Sequence, residues 1–412
     1  MESNTETRRS LLLLLVGTAA VVALLTVWAG WALPLVIFAI IFIVMAHEFG
    51  HFITAKRAGM KVTDFFVGFG PVIWSTTIGE TRYGVRAILA GGYVKVPGMT
   101  WTEEIPEADE QRTYRSASYP RKVLFASAGS LMHVVMALIL VWAAITFVGL
   151  PSNSRVGVGD FTTWQGHTQT AAQMAGMKIG DQIVAIDGTA ITSDNQLINV
   201  ISHDAGKRIA ILLRRDGREL TVHATPVLGT TIKVDGKPLD KHGYLGIGIE
   251  NFGARNTWYG AIPGSFTEVA SLISLGAHAI VHVFSPGDFA SLAHQVASPA
   301  AAVNPHNQDT RPDSIVGVVR IAVQTTRTGA GQLLIILAAV NIFVGMLNML
   351  PMLPLDGGYV AIATYERLRT RRGVRYHADI NKLVPFVYAF MAVLLFLFAT
   401  TLYLDIAHPI NF

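Results

Sequence analysis

The stretch "AHEFGH" at residues 46–51 contains two histidines and a glutamate, His47, Glu48 and His51. On a helix, side chains four positions apart project from the same face, so the imidazoles of His47 and His51 can share one metal ion. Zinc lowers the pKa of a water molecule that it binds to about 7, and Glu48 stands where it can take the proton. The spacing therefore predicts zinc-assisted hydrolysis, with one zinc ion (Zn2+) per chain and Glu48 as the catalytic base.

The alternative interpretation is that these histidines only hydrogen-bond to a neighbouring helix. The motif follows the apolar run "LPLVIFAIIFIVM", and an ionisable side chain in a membrane helix costs about 2.5 kcal/mol or more. Three such side chains in one short segment favour a metal site over packing. The chain contains no cysteine, so histidine, aspartate and glutamate are the only strong metal ligands available.

A catalytic zinc ion needs a third protein ligand and an open fourth position. Asp356 in "NMLPMLPLDGG" is the carboxylate at the end of an interrupted apolar stretch, where prolines break the helix. We expect Asp356 at the same membrane depth as His47 and His51. A helix-ending turn that Asp356 caps is the alternative for this motif when it is considered alone.

The composition indicates a membrane protein. Of the 412 residues, 51% are hydrophobic and 15% are charged, and the mean hydropathy is +0.44. The formal net charge is only +4, and no basic cluster is interleaved with aromatic residues, which excludes nucleic acid as the predicted partner. Five apolar stretches can cross a bilayer of about 30 Å, namely residues 11–30, 33–53, 123–150, 333–353 and 383–404.

Lysine and arginine set the predicted orientation. They precede the first stretch, recur through residues 56–122, and recur again between the last two stretches. These segments are expected in the cytoplasm, which places the N-terminus inside and residues 151–331 and the C-terminal tail outside. A cleaved signal peptide is the alternative at the N-terminus, but no convincing small-residue cleavage site is present, which favours a retained helix.

The segments between the apolar stretches have distinct patterns. After the second stretch, β-branched and aromatic residues alternate with glycines, which predicts short strands joined by turns. Residues 151–230 combine a short helix, a strand, an amphipathic helix and two more strands, and with "AGMKIGDQIVAIDG" they resemble a PDZ domain. Residues 256–294 are apolar but contain histidines and glycines. A crossing there would reverse the later basic loop, so an amphipathic helix on the outer surface is preferred.

The predicted fold class is a polytopic α-helical membrane protein with about five transmembrane helices, one external α/β PDZ domain and a membrane-associated β-hairpin region. The segments are, in order, an N-terminal tail with an extra helix (1–32), the HEFGH helix (33–56), the β-region with its loop (57–122), a transmembrane helix (123–150), the PDZ domain (151–230), an external linker with an amphipathic region (231–331), the helix of the Asp356 motif (332–358), a basic cytoplasmic loop (359–382) and a last transmembrane helix (383–404).

These motifs resemble the site-2 protease family of intramembrane zinc metalloproteases (peptidase family M50), in the bacterial branch that cleaves anti-sigma factors and remnant signal peptides. That family carries HExxH in one transmembrane helix, an NxxPxxPxDGG-like motif in another, and an external PDZ insertion between them. The resemblance covers residues 33–404 and implies a multi-pass protein of the bacterial plasma membrane. The second motif consists here of Asn348, Pro351, Pro354, Asp356, Gly357 and Gly358.

The resemblance implies a role for individual residues. His47, His51 and Asp356 would hold the zinc ion, Glu48 would be the catalytic base, and Asn348 would help to hold the substrate or the oxyanion. The β-region would pair with an unwound segment of the substrate. The substrate-contacting residues implied in that region are Gly68, Phe69, Gly70, Gly91, Gly92, Tyr93 and Val94.

The sequence departs from the family pattern at two places. Where the family usually carries Gly-Pro and then Asn, after the cytoplasmic loop, this chain reads "SAGSLMHVV", with Ser130 and His133 in those positions. His133 either makes a polar substrate contact or packs inside the membrane, and a metal role is disfavoured. The extra N-terminal helix is absent from the simplest four-span members and leaves the core topology intact.

The predicted function is an intramembrane zinc endopeptidase. Its substrate would be a single-span transmembrane protein already cleaved on its outer side, with a peptide or C-terminus bound at the PDZ domain and the lipid bilayer around the protein. One rival is a membrane-anchored zinc protease that acts on soluble peptides. The other is a non-enzymatic membrane PDZ scaffold, in which the histidines pack or hold a structural ion.

Overall fold

The computed structural model describes residues 2–99, 103–164, 168–215, 217–234, 237–254, 256–304, 307, 311–326, 330–370 and 376–409. The chain divides into two compact units. The first consists of Met1–Trp142 and Pro263–Phe412, and the second of Ala143–Ile262.

Helices make up most of the first unit. They are α1 (Glu2–Ala29), α2 (Ala32–Arg57), α3 (Tyr119–Ala143), α6 (Ala261–Val283), α7 (Pro286–Ala297), α8 (Pro299–Ala302), α9 (Ile315–Thr325), α10 (Ala330–Asn348), α11 (Asp356–Arg369) and α12 (Val384–Ala407). A π-helical turn at Ala144–Val148 continues α3.

Among the described residues, five helices are long and apolar enough to cross a membrane, α2, α3 with its continuation, α6, α10 and α12. Four of them coincide with predicted spans, which supports a multi-pass membrane protein. The predicted first span, residues 11–30, lies within α1, whose described apolar part, Leu14–Ala29, is shorter than the other five. The composition of α6 would permit a crossing, whereas the sequence analysis placed this segment on the outer surface.

A β-hairpin follows α2 and consists of β1 (Asp64–Ile78) and β2 (Thr81–Lys95). Its register is irregular, because residues 64–67 pair with both 82–85 and 92–95. Gly68 and Gly70 have φ angles of +84° and +83°, which non-glycine residues rarely adopt, and they allow β1 to bend. Two long bent strands thus replace the short strands that were predicted. Within the described residues, 92–95 pair with 64–67 alone and form one edge of this sheet.

The second unit is built on an antiparallel sheet in the order β12-β3-β4-β6-β7, with β5 paired to β4. Its core contains Ile183, Leu197, Ile211 and Leu213, all almost fully buried. Its helices are α4 (Ala171–Met174) and α5 (Asp194–His203), and its strands are β3 (Leu150–Phe161), β4 (Gln182–Ile186), β5 (Thr189–Ala190), β6 (Ile209–Arg215), β7 (Arg218–Ala224), β8 (Val227–Leu228), β9 (Lys233–Val234), β10 (Lys237–Pro238), β11 (Gly243–Tyr244) and β12 (Ile247–Ala254).

Three boundaries differ from the sequence analysis. The second unit extends past the predicted end at residue 230, because β12 pairs with β3; the glycines in "GIGIENFGA" hide this strand in the sequence. Helix α3 begins at Tyr119 instead of residue 123. The predicted loop 359–382 begins as helix α11, in which acidic Asp356 in the first turn and arginines in the last turn complement the helix dipole.

Candidate metal centre

Three side chains from two distant parts of the chain meet in the first unit. His47 and His51 lie one turn apart on α2, and Asp356 is the first residue of α11. The Nε2 atom of His51 is 3.2 Å from the Nε2 of His47 and 3.2 Å from the Oδ2 of Asp356. The remaining pair, His47 Nε2 and Asp356 Oδ2, is separated by 3.3 Å.

This triangle of atoms has the dimensions of a zinc site. Ligand atoms about 2.0–2.1 Å from a tetrahedral zinc ion lie about 3.3 Å from one another, and two imidazole nitrogens with one carboxylate oxygen are a donor set that catalytic zinc sites use. Within the described residues, these three side chains form the group of His, Asp or Glu whose ligand atoms lie close enough together to hold one metal ion. The residues present therefore fit zinc.

A tight turn brings Asp356 to the histidines. Helix α10 ends at Asn348, and the prolines at 351 and 354 end the helical path before α11 begins. A Cβ atom at Gly358 would lie 2.7 Å from the backbone nitrogen of Leu353, and one at Gly357 would collide with the carbonyl of Leu350. The two glycines of the "DGG" motif are thus needed for the turn to fold back against α11.

Helix α3 supports the two imidazoles from behind. The Nδ1 of His51 donates to the carbonyl of Phe125 at 2.8 Å, which directs Nε2 toward Asp356. The Nδ1 of His47 is buried without a hydrogen-bond partner in the described residues, and its ring packs against the backbone of Gly129. Helix α3 therefore orients His51 by a hydrogen bond and His47 by packing.

Two glycines make this support possible. A Cβ atom at Gly129 would lie 2.5 Å from the Nε2 of His51 and would collide with the ring of His47. A Cβ atom at Gly50 of α2 would lie 2.6 Å from the carbonyl oxygen of Ala128. Small residues of this kind allow membrane helices to approach closely. The sequence analysis did not assign a role to Gly129, because its significance appears only when α2 and α3 are in contact.

A cavity of about 120 Å³ opens beside the triangle, and the carboxylate of Glu48 lines it. Val94 lines the cavity beside that carboxylate, and a Cβ atom at Gly92 would lie 3.0 Å from the Cγ of Glu48. The edge of the hairpin sheet therefore runs alongside Glu48. The lining residues are His47, Glu48, His51, Tyr93, Val94, Met99, Phe125, Ala126, Asp356 and Tyr359.

The structure brings some of the predicted substrate-binding residues to this cavity and not others. Tyr93 and Val94 line it, and Gly92 contacts Glu48. Gly91 lies instead against the ring of Phe69, where a Cβ atom would be 2.7 Å from Cε2. Gly68 and Gly70 form the bend of β1 and are outside the lining, as is Asn348, half-buried at the end of α10.

His133 lies behind the metal-binding triangle in a polar pair with Asn341. Its ring centroid is 5.0 Å from that of His47. The Nδ2 of Asn341 donates to the backbone carbonyl of His133 at 2.7 Å, so its Oδ1 faces and accepts from the Nδ1 of His133. Both side chains are buried, and neither lines the cavity.

Taken together, apolar helices of membrane-spanning length and a zinc-type donor triangle beside a carboxylate define a membrane-bound metalloprotease. The comparisons with known proteins agree. The sequence profile of peptidase family M50 matches residues 35–395, so the chain belongs to that family, the site-2 proteases, and is a zinc metalloprotease. The earlier resemblance is thereby confirmed.

Several curated relatives match along most of the chain. Zinc metalloprotease Rip1 of Mycobacterium tuberculosis is 30% identical over 401 residues, which covers 90% of this chain and 96% of the relative. Putative zinc metalloprotease all3971 of Nostoc is 28% identical over 337 residues, covering 79% and 84%. Probable membrane metalloprotease ARASP2, chloroplastic, of Arabidopsis thaliana is 24% identical over 341 residues, covering 80% and 70%.

Proposed function

We propose that this protein is an intramembrane endopeptidase that performs regulated proteolysis of single-span membrane proteins, such as anti-sigma factors or remnant signal peptides. The observation that carries the proposal is the triangle of His47, His51 and Asp356, whose ligand atoms are 3.2–3.3 Å apart. The histidines lie on α2 and Asp356 follows the end of α10, and both of these helices are long and apolar enough to cross a membrane. A hydrolytic site at this position meets peptide bonds that lie in or near the bilayer.

The roles of the residues follow from their positions. His47, His51 and Asp356 hold the zinc ion, which supplies a Lewis acid that activates water and polarises the scissile carbonyl. Glu48 takes a proton from the attacking water and gives it to the leaving amine. Gly92 and Val94 lie beside the carboxylate of Glu48 and border its position at the edge of the cavity. The backbone of α3 orients His51 through the carbonyl of Phe125 and packs against the ring of His47 at Gly129.

The hairpin edge offers a way to bind the substrate. An α-helix uses its own carbonyls in hydrogen bonds, so a transmembrane substrate must unwind before it can be cleaved. Residues 92–95 form a sheet edge beside Glu48, and an extended peptide can pair with such an edge through its main chain. We expect Gly92, Tyr93 and Val94 to bind the unwound segment, while Gly68, Phe69, Gly70 and Gly91 shape the hairpin that carries the edge.

The second unit would act as the PDZ domain that the sequence suggested. Its helix α5 and its antiparallel sheet, with the predicted helices and strands in the predicted order, support this assignment. In the proposed orientation the N-terminus is cytoplasmic and this unit lies outside, where it would recognise the new C-terminus left by an earlier cleavage of the substrate. It would thereby restrict the protease to substrates that have lost their outer domain.

The test is a reconstituted cleavage assay. The full chain in liposomes is incubated with a single-span reporter whose outer part has been removed, and Glu48→Gln is compared with the unchanged protein. We expect Glu48→Gln to keep about one zinc per chain and to lose at least about 100-fold in cleavage rate, the usual contribution of a general base. Cleavage by Glu48→Gln at the original rate would refute the assignment.

The same samples separate the rival functions. A non-enzymatic scaffold would cleave neither the membrane-embedded reporter nor a soluble peptide of the same sequence. A membrane-anchored protease for soluble peptides would cleave a soluble peptide that has the reporter sequence, whereas the proposed enzyme would cleave only the membrane-embedded form. Zinc analysis of His47→Ala and Asp356→Ala, each expected to lose the ion, identifies the ligands independently of any substrate.

A further inference from the structure

The first unit contains a second, larger cavity that the proposed mechanism does not use. Its volume is about 240 Å³, twice that of the catalytic cavity, and polar side chains provide much of its lining. It lies where α3 begins and where α11 ends. The side chains that matter for its chemistry are Arg115, Ser118, Tyr119, Lys122, Arg367 and His377.

The charge of this cavity favours an anion. Three cationic side chains line it, from Arg115, Lys122 and Arg367, against the single carboxylate of Glu366. Glu366 accepts from Lys122 at 3.2 Å, and Arg115 is held by Glu110 at 2.5 Å. Arg367 is exposed and makes no ion pair with the described residues, so its charge is available to a ligand. Arginine is well suited to bind phosphate because its donors match two phosphate oxygens at once.

The first turn of α3 adds backbone donors to the same cavity. Ser118 and Tyr119 line it, and α3 begins at Tyr119. The first N–H groups of a helix have no partners inside the helix, and the helix dipole places positive charge at this end. In α3 these groups are the N–H of Tyr119 and of Arg121, because Pro120 has no N–H and the N–H of Lys122 donates to the carbonyl of Ser118. Since α3 is long and apolar enough to span the membrane, its first turn is expected at the boundary between hydrocarbon and headgroups, at the depth of lipid phosphates.

A bound anion would act on the two elements that build the metal centre. Lys122 precedes Phe125 and Gly129 on α3, and Glu366 lies on the helix that begins with Asp356. A narrow cavity of about 10 Å³ between them is lined by Lys122, Glu366 and Tyr359, and Tyr359 also lines the catalytic cavity. The Lys122–Glu366 pair therefore connects the anion cavity to the wall of the metal centre.

We propose that this cavity binds a phosphate group, either the headgroup of an anionic phospholipid or a free phosphate, and that the bound group stabilises the junction between α3 and α11. Arg367 and the first turn of α3 bind the phosphate oxygens, while Lys122 remains shared between the ligand and Glu366. Only the expected effect on cleavage rests on the proposed function. Binding itself is independent of it.

The binding experiment uses the full chain carrying Glu48→Gln, so that no turnover occurs. In detergent, its thermal unfolding midpoint is measured against inorganic phosphate and against chloride at equal ionic strength. In nanodiscs, the number of retained lipids is measured by native mass spectrometry with phosphatidylcholine alone and with added phosphatidylglycerol. The test variant is Arg367→Gln. The matched control is Arg121→Gln, which removes an exposed arginine from the first turn of α3 that does not line the cavity.

We expect phosphatidylglycerol to be retained over phosphatidylcholine, and Arg367→Gln to weaken that retention about tenfold, as expected for loss of a charge-assisted hydrogen bond, while Arg121→Gln leaves it unchanged. If inorganic phosphate raises the unfolding midpoint, and Arg367→Gln weakens this effect while Arg121→Gln does not, a free phosphate is sufficient for binding. If phosphatidylglycerol is retained but inorganic phosphate does not raise the midpoint, the ligand is the lipid headgroup. The proposal is overturned if phosphatidylglycerol is not retained and phosphate does not raise the midpoint, or if Arg367→Gln and Arg121→Gln weaken binding equally. Cleavage measured afterwards in both lipid mixtures tests the effect on activity separately.

Discussion

Gly129 sets the distance between the two imidazoles and helix α3, because any side chain there would occupy the space of His47 and His51. We expect Gly129→Ala to weaken zinc binding by about 10- to 100-fold, the range typical when groups that orient metal ligands are lost. Cleavage should fall in proportion. Zinc per chain, measured by elemental analysis after dialysis against a weak chelator, checks the prediction.

The control for this substitution is Gly17→Ala, at an exposed position of α1 where an added Cβ atom would meet nothing within 4 Å. It changes the same residue type in another apolar helix and should leave zinc content unchanged. If Gly129→Ala retained zinc as firmly as Gly17→Ala, the close contact between α3 and the ligands would have no part in metal binding.

Gly92 makes the corresponding contact on the other side of the cavity, against Glu48 instead of the metal ligands. A Cβ atom there would lie 2.9 Å from the Sδ of Met45 and 3.0 Å from the Cγ of Glu48. We expect Gly92→Ala to keep its zinc and to lower kcat at least about tenfold, because the catalytic base would be displaced from its position.

Two measurements make that interpretation specific. Zinc content distinguishes Gly92→Ala from Gly129→Ala, since only the second should lose the ion. In a Glu48→Gln background, Gly92→Ala should have no further effect on the residual rate, because both changes act through the same carboxylate. Since Gly92→Ala keeps the main-chain groups with which the substrate would pair, a further additive loss would show that the added methyl group obstructs the substrate independently of Glu48.

At the scale of elements, Glu80 ties three segments together at the end of α2. Its carboxylate accepts from Lys56 of α2 at 2.7 Å and from both terminal nitrogens of Arg112 at 2.8 Å. Glu80 itself lies in the turn between β1 and β2. These hydrogen bonds lower the pKa of Glu80 from 4.5 to about 2, and the bonds from Arg112 contribute more than the bond from Lys56. The network thus fixes the hairpin beside the helix that carries the HEFGH motif.

This lowered pKa gives a stability that depends on pH in one direction. A carboxylate whose pKa is lower in the folded state contributes its full stabilisation above the unfolded value, and the contribution is lost as the pH falls from about 4.5 toward about 2. We expect Glu80→Gln to flatten the fall in thermal unfolding midpoint between about pH 5 and pH 3. The midpoint in detergent, recorded for both proteins across this range, checks it.

An exposed ion pair of the second unit, Arg214 with Glu219 at 2.7 Å, supplies the control. Glu219→Gln should leave the pH dependence of the unfolding of the first unit unchanged. Identical curves for Glu80→Gln and the unchanged protein in acid would mean that the network around Glu80 makes no net contribution to stability.

The elements also show what the sequence could predict and where it could not. Short motifs with fixed local geometry, HExxH and "PLDGG", allowed the ligands His47, His51 and Asp356 to be predicted, and the triangle matches them. The support from Gly129 and Asn341 was not predictable, because it depends on which faces of α2, α3 and α10 meet. The pairing of residues 64–67 with both 82–85 and 92–95 was not predicted for a similar reason, since glycine-rich strands specify their register weakly.

At the scale of the whole molecule, the metal centre constrains how often the chain crosses the membrane. His47 and His51 lie near the C-terminal end of α2, and Asp356 follows the C-terminal end of α10. Because their ligand atoms are 3.2–3.3 Å apart, these two ends lie at one depth. Helices α2 and α10 therefore run in the same direction across the bilayer, and the chain between them must cross an odd number of times.

Helix α3 supplies one such crossing, which leaves α6 without a way to cross alone. A return crossing would have to follow α6 and precede α10, where the described helices α7, α8 and α9 have 12, 4 and 11 residues, fewer than the roughly 17 that a span needs. Helix α6 packs Gly276 against Met346 of α10, 3.0 Å from a Cβ atom placed there, and exposes Phe266 and Val281. Met346 lies near the end of α10 that reaches the depth of the metal centre, so the middle of α6 lies within the membrane. After α6, Phe284 and Phe289 stack on Phe390 and Phe396, so the chain returns along α12 toward the C-terminal end of that helix, without a net crossing.

The absence of cysteine from the sequence makes this topology directly measurable, because one introduced cysteine is the only thiol in the protein. We expect Thr257→Cys and Val303→Cys, at exposed positions before α6 and after α8, to react with a membrane-impermeant maleimide added to intact cells. Asn195→Cys in the second unit should behave in the same way, and Glu104→Cys, before α3, should react only after the membrane is opened. Reaction of Thr257→Cys and Val303→Cys from opposite sides would show that the segment from α6 to α8 makes a net crossing, and would require a further crossing before α10 to keep Asp356 beside the histidines.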